Sequence, residues 1–341
     1  MKKIILGLAT LILCAFSAQA ADKTIGMVTG PETGTYMAFG KDIAKIAARK
    51  GIDINLKPSS GSIENIRRIA ESNENTQLGI VQSDVLSFLK RSEKPRSQEI
   101  AKRLRLVFPL YPEEIHVLAR KDIATFRELR DKRVVIGEEG SGNMVTSMNL
   151  FALTGTRPAE LIQVPPAEGI LKVLSGEADA MIFVGGRPVP LFQNLSELAT
   201  ADNGKNAYLL KAVHFLPMDD AKIRKEYEPA VLSSGDYPFI LGTVPTSAVT
   251  ASLISFDFSE EKNNYYKDRC KLLDTLAGSI RDSFEALKTM GHPKWREVNL
   301  YKDIGLWTRD ECAWKSVRKD APLLSNELDR DILDVIKHGK Q

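Results

Sequence analysis

The 341-residue sequence carries 47 Lys and Arg against 44 Asp and Glu, a formal net charge of +3. A nucleic-acid binder is expected to be basic at least locally, so this balance speaks against one. The length exceeds the ~100–200 residues of a typical domain and calls for two lobes, and no stretch is apolar for the ~20 residues of a membrane span.

The first twenty residues read as an address. Lys2 and Lys3 form a basic start, Ile4 to Phe16 an apolar run, and Ala18-Gln19-Ala20 an A-x-A cleavage site. A lipid anchor at Cys14 is disfavoured because Leu13 stands where a lipobox needs a small side chain. The mature chain is therefore expected to be exported to the periplasm, with its formal charge reduced to +1 by loss of the two lysines. Two cysteines survive, Cys270 and Cys312. An even count in an exported chain favours a bridge between them, with two buried free thiols as the alternative.

Strand-like and helix-like runs then alternate, the pattern of mostly parallel sheets with helices on their faces. "KTIGMVT" precedes a helix from about Thr35 to Lys50, "IDINLKP" one from Ser62 to about Ser72, and "QLGIV" one from Ser83 to Lys90. After the extended run "LRLVFPLYPEEIHVLAR" the rhythm repeats. "KRVVIG" leads into a helix from about Ser141 to Thr154, "LIQVP" into one from Ala167 to Ser175, and "ADAMIFV" into one from Pro188 to Leu198. Beyond Tyr227, "AVTASLISFDF" reads as a strand, residues 260 to 290 as one long amphipathic helix, and Leu323 to His338 as another. The expected partition is residues 21–114 with 226–341 in a first lobe and 115–225 in a second, joined by a strand hinge around a ligand cleft.

Glycine- and serine-rich turns open several of these helices, where the first four amides lack partners and the helix dipole favours negative charge. "VTGPETGTYMAFG" offers Thr33, Thr35 and the amphipathic ring of Tyr36; "PSSGSIEN" offers Ser60, Gly61, Ser62 and Asn65. "VQSDV" places Gln82 and Ser83 at a strand end, and "GEEGSGNM" offers Ser141, Gly142 and Asn143. "VGGRPVP" adds Gly185, Gly186 and Arg187, whose guanidinium could hold a carboxylate in a bidentate pair. Each turn also has a plain reading as a capped β-to-α connection or, for Arg187, a surface charge.

In this order, "TGPETGTYMAFG", "SGSIEN", "VQSDV", "LYPEEIHVLAR", "GEEGSGN" and "DAMIFVGGRP" make the chain from about 24 to 255 resemble the TAXI branch of TRAP-type extracytoplasmic solute-binding proteins. It departs from that pattern at Met37, where a second tyrosine is usual, at Arg187, and from about His292 onward, where "YKDIGLWTRDECAWK" is unfamiliar. The resemblance implies a type II-like two-lobed periplasmic-binding-protein fold. It also implies a receptor that delivers a small carboxylate, dicarboxylate, keto acid or glutamate-like amino acid to the separate membrane subunits of an ion-driven permease. The helix mouths near Ser62 and Ser141 would take the ligand's carboxylate, Tyr36 and Tyr111 its carbon skeleton, and Gln82 and Ser83 its polar end.

The same cleft would also serve a receptor that feeds a sensor kinase or chemoreceptor. An exported hydrolase is the reading with least support. His116, His214, His292 and His338 show no zinc spacing, and no phosphate loop or nucleophile elbow is present. No cofactor and no catalytic residue is expected.

Overall fold

The computed structural model describes residues 23–316 apart from 72–73, 196, 198–206 and 261; the expected leader and the helix expected over 323–338 lie outside the described residues. The chain begins β1 (Thr24–Val28), α1 (Thr35–Ala48), β2 (Asp53–Lys57), α2 (Ser62–Ala70), β3 (Leu78–Gln82), α3 (Val85–Arg91) and α4 (Pro95–Arg103). The long strand β4 (Leu104–Arg120) leads to β5 (Arg133–Val135), α5 (Gly142–Thr154), β6 (Glu160–Ile162), α6 (Pro166–Ser175), β7 (Ala180–Gly185) and α7, helical over 190–195. After α8 (Ala207–Ala212), β8 (Val213–Phe215), α9 (Ala221–Glu226) and β9 (Glu228–Ser233), the second long strand β10 (Thr243–Phe256) returns, followed by α10 (Asn264–Asp282) and α11 (Phe284–Met290).

The strand order is β2-β1-β3-β10-β4-β7-β5-β6. Its two ends are alike: β1 runs parallel to β2 and β3, and β5 runs parallel to β6 and β7. The middle of the sheet is the antiparallel pair β10 and β4, which both halves share. β10 lies against β3 from Ala251 to Ser255 and against β9 from Thr243 to Ala248, while β4 lies against β7 from Glu114 to Ala119. Ala248 and Glu114 are themselves partners, so both strands change neighbours at one level, where they pass between the lobes. Pro109 and Pro112 fall there and bring no N–H to the ladder, and the β10 register slips between Thr250 and Ser252 opposite them.

Each lobe has its own apolar centre. In the first, Phe39 stacks on Trp295 with ring centroids 4.3 Å apart and meets Tyr111 at 4.8 Å. In the second, Phe192, Phe215 and Tyr237 pack around His116. The His116 imidazole is fully buried and neutral, its value pushed down to about 3 by desolvation. Its partners fix the tautomer. Nδ1 donates to the Glu114 carbonyl and Nε2 accepts from the Tyr237 hydroxyl, which in turn accepts from the Val189 amide.

Three sequence expectations are corrected. The helix expected over 260–290 is two helices, because Ser283 leaves the helical path and closes α10 before α11 starts. The helix expected from Ser83 begins at Val85, since the Ser83 amide bonds to the Thr250 carbonyl instead. Residues 228–244, expected with the first lobe, pack in the second, where Leu232, Tyr237 and Ile240 join its core through the β9–β10 hairpin. Cys270 and Cys312 are joined by a disulfide across 42 residues of sequence, tying α10 to the segment that carries Trp314.

Candidate functional site

A cleft of about 850 Å³ separates the lobes, walled by loops at the carboxyl ends of their strands. Thr33, Thr35 and Tyr36 line it from the β1–α1 turn, Ser60, Gly61 and Ser62 from the β2–α2 turn, Gln82 from β3 and Tyr111 from β4. The second lobe contributes Ser141, Gly142 and Asn143 at the start of α5 and Gly185, Gly186 and Arg187 after β7.

Two of the expected residues are elsewhere. Asn65 is fully buried, and its amide group spans the Thr29 and Ile80 carbonyls while its oxygen accepts from Ser59. It fastens the β2–α2 turn to the sheet. Ser83 turns away from the cleft, its hydroxyl accepting from the Thr250 amide and its carbonyl from Trp307 Nε1.

The helix mouths also differ from one another. At α2 the amides of Ile63 and Glu64 already donate to the Gly140 carbonyl, at 3.1 and 3.4 Å, and the Ser60 amide to Glu64 Oε2 at 2.8 Å. Two of the amides expected to receive a carboxylate at this mouth are therefore taken by the second lobe's backbone, and the Ser62 amide is left without an acceptor among the described residues. At α5 the Ser141 hydroxyl caps the Met144 amide, and the amides of Gly142 and Asn143 have no acceptor among the described residues. The Thr35 and Tyr36 amides at the start of α1 are likewise unspent. Two helix N-termini, one from each lobe, thus present free donors to the cleft.

Ser62 is a positioning group rather than a free hydroxyl. Its Oγ accepts from the buried Gln82 amide at 3.1 Å. Ser62→Ala should therefore cost about 1–3 kcal/mol of stability by orphaning that amide. Urea unfolding of the variant measures this; an unchanged midpoint would show that another acceptor serves Gln82.

The lobes touch across the cleft. Gly61 holds φ at +126°, and a Cβ there would lie 3.4 Å from the Gly142 amide nitrogen. A Cβ on Gly142 would lie 2.3 Å from Gln82 Oε1, which accepts from Thr146 at 3.2 Å. Beyond this contact Asp84 accepts from Asn149 and Tyr227 of the second lobe, at 3.0 and 2.9 Å, and Arg91 bonds to Asn149.

Arg187 reaches the cleft wall with its guanidinium engaged: Nε donates to Glu114 at 3.0 Å and Nη1 to Asp236 at 3.3 Å. Nε and Nη1 are thus held by protein acids, while Nη2 makes no hydrogen bond among the described residues, so Arg187 offers the cleft one nitrogen rather than a free two-nitrogen fork. The floor holds a group the sequence reading missed. Glu113 is 5% exposed, and its Oε2 accepts from the Tyr36 hydroxyl at 2.7 Å. Burial, with Glu114 and Asp84 nearby, pushes its carboxyl up to about 8. Beside it the buried Tyr111 hydroxyl makes no well-aligned hydrogen bond among the described residues, with Thr35 and Glu113 as its polar neighbours. Tyr111 and Glu113 are two residues apart on β4, so strand alternation puts both on the cleft face.

His292, Lys294, Arg296 and Glu297 complete the rim from a short 3-10 turn, Pro293–Glu297. The segment is anchored by Trp295, fully buried, whose Nε1 donates to Asp42 of α1 at 2.8 Å. Lys294 Nζ donates to Glu297 at 2.9 Å. This is the stretch where the resemblance to known sequences ended, and no local pattern marks it as part of a site. Among the described residues no cluster of His, Cys, Asp and Glu is arranged to hold a metal ion, and no helix is long and apolar enough to cross a membrane.

The sequence profile described as the NMT1-like family matches residues 27–265. Among solved structures, the chain is similar to a putative sulfonate ABC transporter periplasmic sulfonate-binding protein from Methylobacillus flagellatus. The two are 11% identical with a TM-score of 0.44, over 77% of this chain and 68% of that one. It is also similar to PhnD1 from Prochlorococcus marinus, solved with methylphosphonate, at 8% identity and a TM-score of 0.46 over 87% and 97% of the two chains. A mutant of ArgBP from T. maritima is 12% identical, with a TM-score of 0.42 over 78% and 91%.

Proposed function

The chain belongs to the NMT1-like family, and from that premise we propose that it is an exported solute receptor of the TRAP type, close to the TAXI branch. It captures a small carboxylate between its lobes and hands it to a membrane permease. One observation carries this reading: a cleft of about 850 Å³ whose walls come from both lobes, with unspent helix N-terminal amides of α1 and α5 facing into it. A ligand held by both walls binds the closed arrangement more tightly than an open one, which is the requirement for ligand-driven closure. The TAXI assignment is supported by the ordered turns from "TGPETGTYMAFG" to "DAMIFVGGRP". The lobes meet along a sheet that crosses twice between them, on β4 and β10, so a bend of two strands suffices to open the cleft.

A thermal-shift screen of the mature protein, refolded to remove any co-purified ligand, tests the reading against small organic acids and amino acids. A ligand present at 100 times its Kd adds about 2.7 kcal/mol to stability. One carboxylate compound is expected to raise Tm clearly above the rest. A screen in which no small carboxylate moves Tm would overturn the proposal.

A further inference from the structure

We propose that the lobes close on each other through a seam along α5 that needs no solute, so that the closed form predominates in the ligand-free protein and a solute enters through a minor open form. The seam is one face of a helix. Gly142, Val145, Thr146 and Asn149 stand at i, i+3, i+4 and i+7, the spacing that stacks side chains along one side of α5. All four belong to the second lobe and are buried, Val145 and Thr146 completely. The first lobe covers them. Val145 sits in that lobe's apolar cluster with Ile66 of α2, Val81 of β3 and Val85 and Leu86 of α3. Thr146 donates to Gln82 Oε1 at 3.2 Å, and Asn149 donates to Asp84 Oδ2 at 3.0 Å while its own oxygen accepts from Arg91 of α3. Ahead of the helix the Gly140 carbonyl accepts from the Ile63 and Glu64 amides. Val145, Thr146 and Asn149 are not among the residues that wall the cleft, so the seam lies beyond the space a solute would occupy.

Parting the lobes would bring Val145 and the apolar side chains it covers into water, and would exchange the bonds of Thr146, Asn149 and Gly140 for bonds to water. The first change opposes opening. The second is nearly neutral and also opposes it slightly, because each of these groups is already paired in the seam. Closure costs little rigid-body freedom, since β4 and β10 hold the lobes together in either form and the loss that opposes association of separate proteins does not arise. A single helix face is then enough to set the balance toward the closed form. The open form is left with no more than about a tenth of the molecules. Capture slows in proportion, because the solute must wait for an opening.

The test reads the lobe-to-lobe distance directly, in the full mature protein. Lys41→Cys on α1 and Glu168→Cys on α6, both at exposed positions, carry spin labels for pulsed dipolar spectroscopy, with the Cys270–Cys312 disulfide intact. Unfolding and refolding the labelled protein removes co-purified solute. The expected result is one dominant short distance, with a longer component of no more than about a tenth. Val145→Asn, which puts an amide into the apolar cluster, should make the longer distance dominant. Asn149→Ala removes the bonds to Asp84 and Arg91 and keeps a good helix former, so it should raise the long-to-short ratio severalfold. Circular dichroism checks that each variant is folded, and Asn149→Ala carries the test if Val145→Asn is not. A refolded wild type found mainly at the longer distance would overturn the inference. So would variants that keep the wild-type distribution. Neither result bears on the receptor reading, which the thermal-shift screen tests separately.

Discussion

Gly142→Val is expected to weaken ligand binding on the order of 100-fold while leaving both lobes folded. The reason is the closeness of the lobes at this residue. A Cβ there would stand 2.3 Å from Gln82 Oε1, 2.5 Å from its Cδ and 2.9 Å from Ser62 Oγ, all on the opposite lobe. Gln82 cannot simply swing aside, because its side chain is buried and Thr146 donates to it. Each lobe alone tolerates the change, since position 142 opens α5 and its capping Ser141 is untouched. The clash exists only when the lobes meet, so its cost falls on the closed state and subtracts from affinity. A factor of 100 corresponds to about 2.7 kcal/mol, within the range of overpacking penalties. Titration calorimetry measures the affinity, and small-angle scattering with saturating ligand should show the variant remaining more extended than the wild type. Gly142→Ala should lose less, because it brings the Cβ alone without the two further methyl groups of valine. Equal affinity in Gly142→Val and wild type would mean that ligand is bound without this contact.

The parts of the cleft that were legible in the sequence are those where local backbone chemistry demands particular residues. Gly61 and Gly142 mark close approach, Ser141 marks a helix start, and Tyr36 stands one residue inside another. Each is visible within a window of a few residues. Asn65 reads as a cleft residue from its place in the turn "PSSGSIEN", and only the sheet behind it shows that it bridges the Thr29 and Ile80 carbonyls instead. The occupied α2 mouth was not legible, because the Gly140 carbonyl that fills it comes from the other lobe and depends on how the two are placed. Lys294 lay further out of reach. It faces the cleft because Trp295 is sunk beside Phe39 and bonded to Asp42, 253 residues earlier in the chain. Glu113 had a usable signal, since Tyr111 was already named and the same strand face recurs every second residue. In the run "YPEEIH" both adjacent acids are buried, and nothing local shows that Glu113 faces the cleft floor while Glu114 pairs with Arg187.

Glu113→Gln is expected to change how the stability of the empty protein depends on pH. In the fold the carboxyl is raised to about 8, against 4.5 for an ordinary glutamate. Between those values the unfolded chain has lost the proton while the native state keeps it, so unfolding releases a proton and stability falls as pH rises. The loss starts near 4.5 and is complete above 8. Each unit of difference corresponds to ~1.4 kcal/mol, so the loss is on the order of a few kcal/mol. His116 works in the opposite sense. Its folded value near 3 lies below the ordinary 6.5, so its contribution is complete above 6.5 and is lost as pH falls toward 3. The two slopes oppose each other between 4.5 and 6.5. For this pair stability is therefore flattest there, dropping on the acid side through His116 and on the alkaline side through Glu113. Asp84 and Asp310, also raised by burial, tilt the profile the same way as Glu113, which is why the variant rather than the wild-type curve isolates its share. Glutamine can still accept from Tyr36 and does not ionise. Urea midpoints measured from pH 4 to 9 should show Glu113→Gln gaining on the wild type steadily as pH rises, with the acid limb unchanged. Parallel curves across the whole range would show that Glu113 is ionised at neutral pH in the empty cleft.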